Sequence, residues 1–171
     1  MWQCCWTSSS VTENLLANLQ SDLSEFVELL NSHGVEFVVV GGHAVAFHGH
    51  PRLTGDIDFF IRATGANAKL LLTALDAFGF GDIGLTAADL TTAGRVVQLG
   101  RPPNRIDLLT SISGVSFEEA WSSRVAGPLG AHTVSFIGWD ELIRNKTASD
   151  RDKDRLDVKR LKAVKARQRG A

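Results

Sequence analysis

Apolar side chains recur every three or four positions within residues 11–33, at Leu15, Leu16, Leu19, Leu23, Phe26, Val27 and Leu30. That spacing draws one apolar stripe along a helix, and Asn31-Ser32-His33-Gly34 supplies the residues that stop it. The pattern then changes period. Glu36 to Val40 is a run of β-branched and aromatic residues closed by glycine, which predicts a buried strand. Ala44 to His48 predicts a short helix after the Gly41-Gly42 turn. Gly49-His50-Pro51 ends it, because the residue before proline is pushed out of the α region.

Further along, Asp56 to Ile61 predicts a second strand, Ala66 to Phe78 a helix, and Ala87 to Leu90 a short helix after the breaks at Gly79, Gly81 and Gly84. Arg95 to Leu99 and Arg105 to Thr110 read as antiparallel strands joined by Gly100-Arg101-Pro102-Pro103-Asn104, whose residues suit a hairpin loop. Phe117 to Ser122 predicts a helix and Thr133 to Ile137 a last strand. Helices follow over Trp139 to Ala148 and Asp152 to Ala166, the second anchored by Leu156, Leu161 and Val164. Helices and strands do not alternate strictly, so the expectation is an α/β (α+β) domain with a mixed β-sheet and flanking helices.

Length and composition narrow the class. A chain of 171 residues fits one domain, 1–171, with residues 1–10 a frayed start. At 44% hydrophobic and 22% charged residues, with no long apolar run, it is expected to be globular, without a membrane span and without a secretory signal, hence cytoplasmic. Cys4 and Cys5, the only cysteines, stand side by side and make no zinc-type spacing, so they read as incidental thiols. Charge is uneven. The basic C-terminal tail 144–171 holds eleven Lys or Arg against four Asp, a net of +7, which leaves −8 for residues 1–143. Such a tail is either a solvated face or a surface for phosphate or nucleic acid.

The candidate chemistry sits in the first half of the chain. Gly41-Gly42 closes one predicted strand, and thirteen residues, 43 to 55, separate it from Asp56-Ile57-Asp58 in the next. Side chains alternate along a strand, so Asp56 and Asp58 project together, about 7 Å apart, while Ile57 and Phe59 turn to the core. Two such carboxylates repel unless a cation joins them, and magnesium takes one or two carboxylates plus substrate phosphates. Asp107 lies in a similar apolar run, Arg105-Ile106-Asp107-Leu108-Leu109. If its strand neighbours the first acid pair, three acids can hold two Mg2+ ions, with Asp107 nearest the nucleophile. Glycine lets the backbone approach a phosphate, and Arg52 and Thr54 offer a guanidinium fork and a hydroxyl. His43, His48 and His50 lie close by; helix-end or core roles are the plainer reading, and His43 is the one to test.

With these residues in order, the chain resembles the DNA polymerase β-like nucleotidyltransferase superfamily, whose signature is a Gly-Gly or Gly-Ser, an acid-x-acid strand and a third acid on a later strand. The stretch from Gly41 to Asp58 is similar to minimal bacterial nucleotidyltransferases of the abortive-infection and toxin–antitoxin type. Lys146, Arg151 and Lys153-Asp154 resemble that group's late Lys, Arg and Asp motif, associated with nucleotide binding. The resemblance spans roughly residues 35–160 and implies transfer of a nucleoside monophosphate from an NTP such as ATP to a hydroxyl of tRNA, a protein or a small molecule. Asp56, Asp58 and Asp107 would then be catalytic metal ligands, with Gly41, Gly42, Arg52, Thr54, Lys146 and Arg151 on the nucleotide. It also implies a cognate antitoxin or partner subunit. Gly42 replaces the serine of many members, and no appended helical domain is seen, so the acceptor would meet the basic tail, a partner or the loop near Gly79 to Gly84. The alternative is a catalytically idle member of the fold that serves as a binding or antitoxin-like module. A plain α/β domain with accidental acids is the third reading.

Overall fold

A computed structural model describes residues 22–102 and 105–169. The chain is helical over residues 22–32 (α1), and the predicted start of that helix, residues 11–21, lies outside the described residues. The elements then run β1 (Phe37–Val40), α2 (Gly41–Phe47), β2 (Asp56–Ile61), α3 (Gly65–Leu75), a π-helical turn (Asp76–Phe80), α4 (Ala87–Thr91), β3 (Val96–Leu99) and β4 (Arg105–Leu109). They finish with α5 (Phe117–Ser122), β5 (Val125–Leu129), β6 (His132–Phe136), α6 (Trp139–Ser149) and α7 (Asp152–Arg169).

Six strands form one mixed sheet in the order β3-β4-β2-β1-β6-β5. The central pair β1 and β2 is antiparallel, β2 and β4 are parallel, and β1 and β6 are parallel. This is the expected mixed sheet with flanking helices, a nucleotidyltransferase-like fold. All four residues of β1 are buried, which explains an unbroken apolar run where an edge strand would alternate. On one face Phe59 meets Phe26 at 5.6 Å and Phe37 at 5.4 Å between ring centres, so α1 closes that side. On the other face Phe60 packs edge-on against Phe117 of α5 at 5.2 Å. Asp56 and Asp58 share that second face with Phe60 by strand alternation. The acids therefore lie just beyond the region covered by α5.

Buried Asn67 of α3 ties three segments together. Its Oδ1 accepts from the Glu36 amide at 2.8 Å, and its Nδ2 donates to the carbonyls of Glu36 and Arg62 at 3.0 Å each. The entry to β1, the exit of β2 and the start of α3 thus share one amide side chain.

Several sequence expectations need correction. The helix predicted over Ala66 to Phe78 ends at Leu75 and passes into the π-helical turn, with Gly79 at φ 93°. The short helix begins at Gly41 itself rather than Ala44. The sequence reading passed over β5, because Gly127 and Pro128 look like turn residues. Pro128 is tolerated there because β5 is an edge strand, and Gly127 is demanded by packing. A Cβ on it would lie 2.2 Å from the Phe47 ring, which itself stacks on Phe136 at 4.2 Å. Leu161 is buried as expected, but Leu156 is 51% exposed and does not anchor α7. Charged residues take over that task, as described below.

Candidate functional site

The parallel pairing of β2 and β4 decides the geometry. Its register sets Asp56 beside Arg105 and Asp58 beside Asp107. Because residues two apart on a strand share a face, Asp56, Asp58, Arg105 and Asp107 form a four-sided patch on one sheet face. The antiparallel partner β1 brings Val40 opposite Asp58, so the turn after it arrives beside the same acid.

Gly41 has φ 62°, and a Cβ there would lie 1.9 Å from Asp58 Oδ2. Both facts require glycine. At Gly42 a Cβ would sit 3.0 Å from Thr54 Oγ1. The two glycines are thus pressed against the acid pair and the residue that steadies it. Thr54 Oγ1 donates to Asp56 Oδ1 at 2.7 Å and to the Asp56 carbonyl at 3.1 Å.

Of the candidate residues named from the sequence, Gly41, Gly42, Arg52, Thr54, Asp56, Asp58, Asp107, Lys146, Arg151 and Lys153 line a single open cleft of roughly 790 Å³. They do not all face it in the same way. Arg52 forms a fork on Asp157 of α7, with Nε and Nη2 donating at 3.0 and 3.1 Å. Lys146 is buried, and its Nζ lies 2.7 Å from Asp154 Oδ1 and 3.2 Å from Asp157 Oδ2. Arg151 Nε donates to Asp154 Oδ2 at 2.6 Å, yet its side chain is 61% exposed and lines the cleft. Thus Arg52 and Lys146 are engaged with α7, while Arg151 retains reach.

This network explains how α7 docks without Leu156. Buried Asp154 and Asp157 each pair with two cations, so Lys146 of α6 and Arg52 of the loop before β2 are joined through α7. Burial opposes ionisation of Asp154, but its bonds to Arg151 and Lys146 outweigh that and hold its carboxyl below the ordinary range. A cation–π contact adds to the dock, with Lys165 Nζ 3.4 Å from the Trp139 ring centre.

The three cleft acids differ in environment. Burial, followed by the like charges of Asp56 and Asp107, lifts the Asp58 carboxyl to about 6 against the pull of Lys146 and Lys153. For Asp56 burial acts in the same sense, but the Thr54 hydroxyl, Arg105, Lys153 and Arg52 overcome it and keep that carboxyl low. Burial also lowers the His43 imidazole pKa against the nearby charge of Asp56, and His43 Nδ1 has no partner among the described residues.

Residues that sequence reasoning missed complete the picture. Arg105 Nη2 donates to Asp56 Oδ2 at 2.7 Å, while its Nε and Nη2 donate to Asp107 Oδ1 and Oδ2 at 2.8 and 3.0 Å. Its position two residues before Asp107 was the available signal. Asp157 is the other acid of the α7 network that the sequence did not single out. In chemical terms, three carboxylates on one face suit a hard divalent cation, which would offset the burial and like charge that raise the Asp58 carboxyl. Among the described residues, however, no three His, Cys, Asp or Glu side chains converge as a ready ion-binding group. The Arg105 guanidinium bridges two of the three acids.

The geometry thus presses a glycine turn against an acid-x-acid strand and sets a third acid on its parallel neighbour. The family described as "nucleotidyl transferase of unknown function" (DUF2204) matches residues 19–170, and the chain belongs to it. No curated protein matches the chain. Among the described residues, no helix is long and apolar enough to cross a membrane.

Proposed function

We propose that the protein is a magnesium-dependent nucleotidyltransferase that moves a nucleoside monophosphate from an NTP to the hydroxyl of an acceptor. The observation that carries this reading is the placement of Asp56, Asp58 and Asp107 on adjacent parallel strands facing one cleft, next to Gly41-Gly42. Asp56 and Asp58 would hold both Mg2+ ions and Asp107 the one nearer the nucleophile. Bound there, the ions supply a lowered hydroxyl pKa and compensation of charge on the departing pyrophosphate. Asp107 accepts the proton of the attacking hydroxyl or orients that hydroxyl. The backbone at Gly41 and Gly42, with Arg151 and Lys153, borders the triphosphate. Arg52 and Lys146 act from behind, by holding the loop that carries Thr54 and Asp56.

The acceptor is a tRNA, a protein side chain or a small molecule. Incubation of the full chain with each α-labelled NTP, Mg2+ and total cell extract tests the reading, and the labelled class identifies the acceptor. Label transfer is expected from wild type and not from Asp58→Ala; equal transfer by both overturns the assignment.

One observation favours a second reading, a binding or antitoxin-like module that has given up catalysis. Arg105 already neutralises part of the acid patch. Thermal stabilisation by NTP plus Mg2+ supports the enzyme through preferential binding to the folded state. The absence of a shift with all four NTPs supports the module.

A further inference from the structure

Arg105 is the first residue of β4 and lies beside Asp56 in the parallel register. Its guanidinium makes a fork on Asp107 and a third bond to Asp56, but it does not reach Asp58. Forked guanidinium–carboxylate pairs are among the stronger charge-assisted contacts. The oxygens engaged belong to two of the three acids that a divalent cation would need. A cation approaching those oxygens from the cleft competes with the guanidinium for their lone pairs.

Arg105 has somewhere to go. Its side chain is partly exposed and borders the cleft, where Arg151 and Lys153 also present positive charge. An arginine side chain is long, and its planar donor fork fits phosphate as well as carboxylate.

Resting on the reading given under Proposed function, we propose that Arg105 is a built-in counter-ion that changes partners. Without a divalent cation it bridges Asp56 and Asp107; with cation and nucleotide present it releases both acids and grips the triphosphate. Its two positions make cation and nucleotide binding cooperative. The nucleotide gives the displaced guanidinium a new partner, and by linkage the cation must improve nucleotide affinity by the same factor.

The consequence is a pair of changes of opposite sign. Removing the guanidinium frees the acids, so Mn2+ alone binds more tightly. It also deletes a phosphate contact, so the Mn2+-loaded protein binds nucleotide more weakly. A fixed positive charge would give the same crossing for Arg105→Gln through attraction and repulsion alone, but Arg105→Lys, which keeps the charge and lacks the fork, would then leave both affinities unchanged.

The test uses the full chain with Mn2+ as the probe cation, read by the electron paramagnetic resonance of the free ion. Fluorescent nonhydrolysable analogues of the four NTPs, read by anisotropy, probe the loaded site. Circular dichroism checks the fold. For Arg105→Gln, Mn2+ affinity without nucleotide is expected to rise about tenfold, and nucleotide affinity at saturating Mn2+ to fall by about the same factor, within the usual range of coupling between sites. Arg105→Lys keeps the charge without the fork and should shift both in the same directions by a smaller factor. It carries the test if Arg105→Gln does not fold. Unchanged or weaker Mn2+ binding by a folded Arg105 variant, with wild type binding Mn2+, overturns the partner exchange alone. Failure of wild type and folded variants alike to bind Mn2+ overturns the metal-dependent reading as well.

Discussion

Replacing Lys146 with Met separates the two roles that this residue can have. The substitution keeps an apolar stem of similar length and removes the ammonium that joins Asp154 at 2.7 Å to Asp157 at 3.2 Å. Both acids are buried, and breaking a buried pair by removing one partner typically costs about 3–5 kcal/mol. Each acid here keeps a second cation, Arg151 on Asp154 and Arg52 on Asp157, so the lower end applies, about 3 kcal/mol. For a domain of this size each kcal/mol moves the melting midpoint by about 2–4 °C, which places the expected drop near 6–12 °C. The assay is thermal and urea unfolding at pH 7 without nucleotide, with Arg151→Met as control. Arg151 is largely exposed and Lys146 remains on Asp154 without it, so its loss is expected to cost clearly less stability than the loss of Lys146. If Lys146→Met melts with wild type and loses only nucleotide affinity, Lys146 is a ligand contact and the clamp between α6, α7 and the loop before β2 is refuted.

Three further outcomes follow from the site and its supports. Asp58→Asn should stabilise the metal-free protein at pH 7–8 by at most about 3 kcal/mol and give no gain near pH 3.5. The sign follows because a carboxyl raised from 3.8 to about 6 on folding penalises the folded state as pH climbs through that window. Urea midpoints across pH in EDTA read this out, and a gain independent of pH would contradict it. Gly41→Ala must hold alanine at a positive φ, at a cost of about 1–2 kcal/mol, with its Cβ on the Asp58 carboxylate; the expected result is a folded protein of lower melting temperature without label transfer, and full transfer would show that the close approach is dispensable. Asn67→Ala takes from the Glu36 amide the side chain it donates to, while the Glu36 and Arg62 carbonyls keep the amides of Arg62 and Thr64, so urea unfolding should report a loss of about 1–2 kcal/mol.

Much of the fold was legible because local chemistry and tertiary context agreed. The buried strands β1 and β2 are runs of β-branched and aromatic residues, and β2 begins and ends where the sequence pattern placed it. Thr86 and Ser116 begin α4 and α5 with capping boxes that their sequences carry. Strand β5 was not legible, because Gly127 and Pro128 are turn residues by local preference. Only the ring of Phe47 and an edge position make them suitable for a strand.

The site divides in the same way. The order Gly41-Gly42, Asp56-x-Asp58 and Asp107 by itself determined which residues to nominate for the proposed chemistry, and strand alternation alone put Asp56 and Asp58 on one face. The tertiary structure decided their company. Whether Asp107 joins the pair depends on parallel register between strands separated by α3 and α4, which no local pattern encodes. Whether Lys146 and Arg52 face substrate or protein depends on Asp154 and Asp157 of α7, more than 100 residues from Arg52 in the latter case. Arg105 could be placed beside Asp107 by counting. Its bond to Asp56 exists only because two strands lie side by side, and hydrogen bonds act over distances that sequence separation does not measure.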